Sequence, residues 1–277
     1  MKGGQTPFLE KGVRPLFGER GSDPFFWRRF IDLCILTITL AVLWQGAHEM
    51  VGSEGLSSPR QTFARAGALL ASASFWVHAG ATGEAFAYAL AAALAGGLAL
   101  GLVLGYFRLA GEVFEPIVGA IYSIPKITLY PIILLVFGLT LSAKVAFGAL
   151  HGIFPMIIFT MSGVKNVKPV LLKTARAMRL SPLASMRAIL VPAALPEIFT
   201  GFRIGFSLTL LGTLIGELFA SDRGLGFMLI RGIEHSDAAT ILALTLLLFT
   251  ASALVGWALL RLDRRIRRYK EASPVAM

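Results

Sequence analysis

Apolar positions along this chain gather into six long runs, separated by short polar segments rich in Lys and Arg. A helix needs about 20 mainly apolar residues to cross the hydrocarbon core of a bilayer. Six stretches meet that need or nearly so: 30–47, 85–107, 113–139, 143–164, 195–220 and 238–260. The stretch 63–77 is too short and too often interrupted to span, and its pattern predicts an external amphipathic helix. The chain therefore divides into a polar arm (1–29), a first span (30–47), an outer loop with its short helix (48–84), a five-helix core (85–260) holding a polar loop at 165–194, and a basic tail (261–277). The expected fold class is an all-α membrane protein of six transmembrane helices.

Composition agrees with that division. The hydrophobic fraction is 56%, charged residues make up 15%, and mean hydropathy is +0.72. A soluble domain carries roughly a quarter charged residues, so much of this surface faces something other than water. The net charge of +10 invites a nucleic-acid reading. The basic residues, however, sit at the edges of apolar runs, where charge sets orientation in lipid, and nucleic acid is excluded as a partner. With a cytoplasmic N-terminus, five of the 26 Lys and Arg fall outside (Arg60, Arg65, Lys144, Arg223, Arg231) and two within spans (Lys126, Arg203), leaving nineteen inside. That asymmetry places both termini and the 165–194 loop in the cytoplasm of a plasma-membrane protein. The pair Arg28-Arg29 admits a twin-arginine export signal, but the residues after Arg29 fit that signal poorly and offer no small-x-small cleavage site. A retained cytoplasmic arm is the expectation.

The loop has internal structure. Residues 170–180 contain no Gly or Pro and suit a short helix. Ser181 is then a natural N-cap, with Pro182 at the first position of a second helical turn through Leu190. Pro192 and Pro196 are expected to end it. Apolar residues (Leu172, Ala175, Met178, Leu183, Met186) alternate with Lys173, Arg176, Arg179 and Arg187. Such a surface suits an amphipathic helix laid into the groove of a soluble partner, and equally one resting on anionic lipid.

The spacing Ala175…Arg179…Ile189-Leu190-Val191-Pro192 resembles the cytoplasmic signature loop of ABC importer permeases: Glu-Ala-Ala, three residues, Gly, nine residues, Ile-x-Leu-Pro. Ser123-Ile124-Pro125-Lys126-Ile127, followed by Pro131 and Phe137-Gly138, resembles the third-span motif of the sulfonate/nitrate/taurine branch. The run from Gly216-Glu217 to Gly224-Leu225-Gly226 resembles the end of that branch's fifth span. The resemblance covers about 85–270. There are departures: the signature's Glu falls on Lys173, its first Ala on Thr174 and its Gly on Arg179. The first reverses a charge, and the last puts a side chain where a left-handed turn favours glycine.

The resemblance implies a type I ABC importer permease fold. Two permease copies, a homodimer or a pair of related chains, would form the pathway. Two copies of a separate ATPase subunit, holding ATP-Mg, would receive the elbow formed by Ala175, Met178, Arg179, Leu180, Ser181, Pro182 and Pro192. A periplasmic or lipid-anchored binding protein would deliver the solute. The chain itself has no Gly-x-x-x-x-Gly-Lys-Ser/Thr loop for nucleotide, so no cofactor is expected on it. ATP-driven closure of the partner would move 172–190 as a lever between inward- and outward-facing states.

Charge at membrane depth marks the candidate pathway. Lys126 follows Pro125 about thirteen residues, roughly 20 Å, into the third span. It would attract an anionic substrate, pair structurally or gate. Pro125 and Pro131 would each kink that helix. Glu217, near the outer end of the fifth span, would partner a cation or reach external water. Glycines at 97, 101 and 105, and at 201, 205, 212 and 216, form stripes that let helices approach closely, within one subunit or between two. Four scattered His residues offer no pair at metal-ligand spacing, with His151 read as a packing residue or a pathway lining, and no hydrolase motif is present. A secondary carrier would need repeats and ion-coupling sites, and an intramembrane enzyme would need paired catalytic groups. Neither pattern is seen. The leading expectation is import of a small anion such as a sulfonate, taurine or nitrate, with a pyrimidine-like or riboflavin-like nutrient as the alternative.

Overall fold

Glycine decides how the bundle closes. A computed structural model describes residues 24–52, 55–219 and 221–272, with side chains from 31 to 267. Its helices are α1 (Pro24–Val51), α2 (Pro59–Ala71), α3 (Ala73–Tyr106), α4 (Arg108–Ser123), α5 (Tyr130–Phe137), α6 (Leu141–Lys165), α7 (Pro169–Ala177), α8 (Pro182–Ser185), α9 (Val191–Phe219), α10 (Leu225–Glu234) and α11 (Ala238–Ala272). Helix α6 is the central strut. A Cβ at Gly97, Gly101 or Gly105 of α3 would lie within 2.7 Å of the Cβ of Met156, Thr160 or Val164 on α6. On the other flank, Gly201 and Gly205 of α9 press against Phe159 and Met156 in the same way. Both stripes are therefore used within one subunit, where bare backbone permits the approach that van der Waals packing in lipid requires.

Among the described residues five helical stretches are long and apolar enough to cross a membrane, and the pair α4 and α5, bent by 84°, is a sixth candidate. The sequence pattern predicts that third span as one kinked helix over 113–139. Two helices form instead, because the ring of Pro125 holds Ile124 extended at φ −65°, ψ 132° and ends α4 there. A 3-10 turn, Lys126–Leu129, then leads into α5, which takes Pro131 in its first turn, where a missing N–H is harmless.

Three further boundaries differ from the pattern. The amphipathic stretch 63–77 is split at Ser72, whose N–H caps α2 through Leu69 O while its hydroxyl accepts from Phe75 N–H at 3.2 Å to begin α3. Helix α3 thus starts twelve residues ahead of position 85 and runs about 50 Å. Pro192 and Pro196 do not end a helix. The chain is helical from Pro182 to Phe219, because a π-helical turn, Met186–Leu190, widens the backbone just ahead of Pro192 and absorbs its missing donor. Helix α11 continues to Ala272, so most of the basic tail extends the last span. Residues 1–23 of the polar arm, with Lys2, Lys11, Arg14 and Arg20, lie outside the described residues, as do 273–277.

Around the strut sit three apolar clusters. One joins α2, α3 and α11 through Ala66, Leu69, Phe75, Ala243 and Leu244, with α10 packed on it. A second joins Val164, Val167, Leu190 and Ala194 beneath the polar loop. The third pairs Tyr130 with Phe147. Helix α1 stands to one side, tied to the chain after it by the Trp44 indole N–H, which donates to Ser57 O at 3.0 Å.

Candidate functional site

Two places gather the candidate residues: the elbow between α7 and α8, and the region where the broken span meets α6 and α9.

The elbow is built by a helix stop followed at once by a helix start. Leu180 N–H donates to Ala175 O (3.1 Å) and Arg179 N–H to Arg176 O (3.0 Å), the two bonds of a Schellman motif. Such a stop needs one residue in the left-handed region. Arg179 occupies it at φ +50°. Arginine at the signature's glycine position therefore keeps the turn, at a cost of about 1 kcal/mol in backbone strain. Ser181 then caps α8, its Oγ accepting from Ala184 N–H at 3.3 Å, with Pro182 at the first helical position. The stop and start split the apolar residues into two faces. Ala175 (5% exposed), Ser185 and Leu190 turn toward the bundle, while Met178 (65%) and Leu183 (59%) stand out from it. Arg179 and Arg187 are exposed near them, and Arg176 is exposed on α7.

At the broken span, Pro125 hands the chain to Lys126 as α4 ends. The Lys126 ammonium turns back and donates to Tyr122 O at 2.9 Å, where it satisfies a terminal carbonyl. It also lies 4.5 Å from the Tyr122 ring centre and 5.5 Å from that of Phe154 on α6. No carboxylate pairs with it among the described residues. Neither aromatic neighbour was legible as a partner, since both meet Lys126 only once α4 breaks and packs on α6. Deeper in, His151 Nδ1 contacts Phe147 O at 2.9 Å and its ring meets Phe147 edge-on at 4.5 Å. Tyr130 donates to Gly216 O at 2.7 Å.

Glu217 sits elsewhere. It is 0% exposed and does not reach external water. Its Oε2 accepts from Thr82 Oγ1 on α3 (2.8 Å) and from Gly226 N–H in the first turn of α10 (3.0 Å). Its Oε1 meets no donor. A Cβ on Gly224, which has φ +126°, would overlap the Glu217 carboxyl group. The carboxylate thus clamps the turn 221–226 and the N-terminus of α10 against α3, a favourable end for negative charge. Lys144, assigned to an outer loop from sequence, is 7% exposed and donates to Arg223 O (3.2 Å) in the same turn. Gly224-Leu225-Gly226 after a glutamate was the only local signal of this clamp; Thr82 lies 135 positions away and gave none.

On the far side of α10, Asp237 caps α11 by accepting from Thr240 N–H (2.9 Å), and Arg65 of α2 lies 3.7 Å from its Oδ2. Burial raises the Asp237 pKa, but the Thr240 hydrogen bonds and the Arg65 charge outweigh it and hold the carboxyl below its ordinary value. Among the described residues no three His, Cys, Asp or Glu are grouped to hold a metal.

The family described as binding-protein-dependent transport system inner membrane component matches residues 97–268. The riboflavin transport system permease protein RibX of Chloroflexus aurantiacus is 32% identical over 251 residues, covering 87% of this chain and 93% of that protein. The taurine transport system permease protein TauC of Escherichia coli is 27% identical over 242 residues, covering 85% and 88%. Among solved structures, a chain of the MetNI methionine ABC transporter in an inward-facing conformation aligns at TM-score 0.59 and 20% identity, covering 67% of this chain and 93% of that one. At that identity the likeness is one of fold.

Proposed function

Given that the chain belongs to the family of binding-protein-dependent transport system inner membrane components, the permease subunits of ABC importers, we propose that it carries a small anion such as a sulfonate, taurine or nitrate into the cell. It is a transport subunit and not an enzyme; in this family ATP hydrolysis belongs to a separate subunit. The proposed assembly is a permease homodimer with two ATPase subunits, each holding ATP-Mg, and a solute-binding protein on the opposite face. The positive-inside distribution supports an elbow and termini facing the cytoplasm.

The observation that carries the anion is Lys126. It is a cation at the break of a span, with one of its three donors on Tyr122 O and no carboxylate partner among the described residues, so it retains capacity for an anion. The elbow supports the coupling route: Met178 and Leu183 form an exposed apolar pair among arginines, suited to a partner's groove. Motion of that elbow would pass through the continuous helix from Pro182 to Phe219 to the Glu217 clamp at its other end.

The test is uptake by Lys126→Ala. Transport of the anion should fall by about tenfold or more, the scale of one lost charge-assisted contact, with ATPase docking unchanged. Unaltered uptake would return Lys126 to a capping role for α4. A second reading, import of a flat, weakly charged nutrient, is supported by the 32% identity to a riboflavin permease and by the Tyr122 and Phe154 rings beside Lys126. Under that reading Tyr122→Ala lowers uptake more than Lys126→Ala.

A further inference from the structure

Beneath the elbow, on the side away from Met178 and Leu183, lies a groove of about 840 Å³ between α7–α8 and the adjoining ends of α3, α4 and α6. That volume falls in the range of small-ligand sites, roughly 300–1,000 Å³. The floor is apolar, with Leu172, Leu180 and Leu190 among its residues, and the rim carries Arg108, Lys165 and Arg176. Lys165 pairs with Glu115 at 2.7 Å, and Arg108 engages Glu112 through its Nε at 2.9 Å. The terminal nitrogens of Arg108 stay open, and Arg176 pairs with no carboxylate among the described residues. Three cations thus face two carboxylates, at the ends of membrane-spanning helices where headgroups lie.

We propose that this groove binds one anionic phospholipid, its phosphate at the Arg108–Arg176 rim and an acyl chain over the leucine floor. An apolar floor with a basic rim at the positively charged end of a bundle is the combination that anionic headgroups select. A bound lipid would brace the elbow against the bundle while leaving Met178 and Leu183 free. The argument is independent of the cargo.

The test places wild-type chain and variants in nanodiscs of equal parts phosphatidylglycerol and phosphatidylcholine. After release into mild detergent, retained lipids are counted by native mass spectrometry. The wild type should keep one phosphatidylglycerol in preference to phosphatidylcholine. Since a surface cation contributes about 1 kcal/mol to anionic-lipid attraction, R176Q should lower that preference by about fivefold, and R108Q/R176Q should abolish it. Arg60→Gln, which removes an exposed cation at a position remote from the groove, should leave it unchanged. Equal retention of the two lipids by the wild type overturns the proposal. So does an undiminished preference in R108Q/R176Q, or a loss in R60Q as large as in R176Q, which would assign the attraction to bulk charge. Arg176 is exposed on α7, so R176Q is expected to fold, and it keeps the test decisive if the double variant does not.

Discussion

Arg179 and Gly224 both have positive φ but in different regions: Arg179 at +50° is left-handed helical, whereas Gly224 at φ +126°, ψ 167° holds a conformation essentially reserved for glycine. At Arg179 the φ of +50° is within reach of an L side chain at modest cost, and the residue is exposed at the elbow. Arg179→Gly should therefore raise stability only slightly, by up to about 0.5 kcal/mol, after the unfolded-state entropy of glycine offsets most of the relieved strain. Thermal unfolding of the purified chain would read this as a rise in Tm, and a fall would mean that the guanidinium makes a contact outweighing the strain. At Gly224 there is no such freedom, since a Cβ would enter the Glu217 carboxylate. Gly224→Ala should cost about 2 kcal/mol or more and loosen α10 from α3, measured as faster hydrogen exchange across 225–234. Exchange rates matching wild type would show that the turn rearranges cheaply. The left-handed position at 179 was legible from the motif spacing, whereas the closeness of Gly224 to Glu217 was not, because it depends on how α9 and α10 fold back on each other.

Prolines show what a sequence pattern can and cannot say about whole elements. Pro125 ends α4 because nothing upstream relieves its ring, while Pro192 sits inside a continuous helix because a π turn precedes it. The sequence pattern predicts the reverse, Pro125 as a kink and Pro192 as a stop; the difference lies in backbone geometry that no composition rule encodes. Ser181-Pro182 was readable, since cap and first-turn proline are local chemistry. Helix α10 was not read, being short and masked by its neighbouring glycines. At the start of α11, Asp237→Ala removes an N-cap and the Arg65 contact, and should lower stability by about 1 kcal/mol. Because the Asp237 pKa is depressed on folding, its contribution is present above the ordinary carboxylate value of about 3.9. It is lost as pH falls through the lower folded-state value. Stability of D237A and wild type should therefore converge only in strong acid, and convergence already at about pH 5 would contradict the assignment.

For the whole molecule, the membrane class and the candidate spans were readable because a bilayer imposes a length on any chain that crosses it. The two glycine stripes were visible as well, but not that both clasp one helix, α6. That arrangement separates two glycines of α3. Gly101→Leu should drive α3 from α6 and prevent accumulation of folded protein. Gly83→Ala, with nothing within 4 Å of its Cβ, should be tolerated or stabilising by about 1 kcal/mol. Expression and monodispersity of the two variants would check this, and equal tolerance would mean the stripe is not a packing surface. The three-helix clasp is joined to an elbow whose exposed apolar pair, in the function proposed above, would take the force of a partner. That coupling is tested most directly by purifying the tagged chain in mild detergent, with and without Met178→Asp, and identifying the proteins that accompany it by mass and sequence. The expected result is a P-loop ATPase that accompanies the wild type and is lost from a still folded Met178→Asp chain. A folded oligomer that transports solute with no ATPase attached would contradict it.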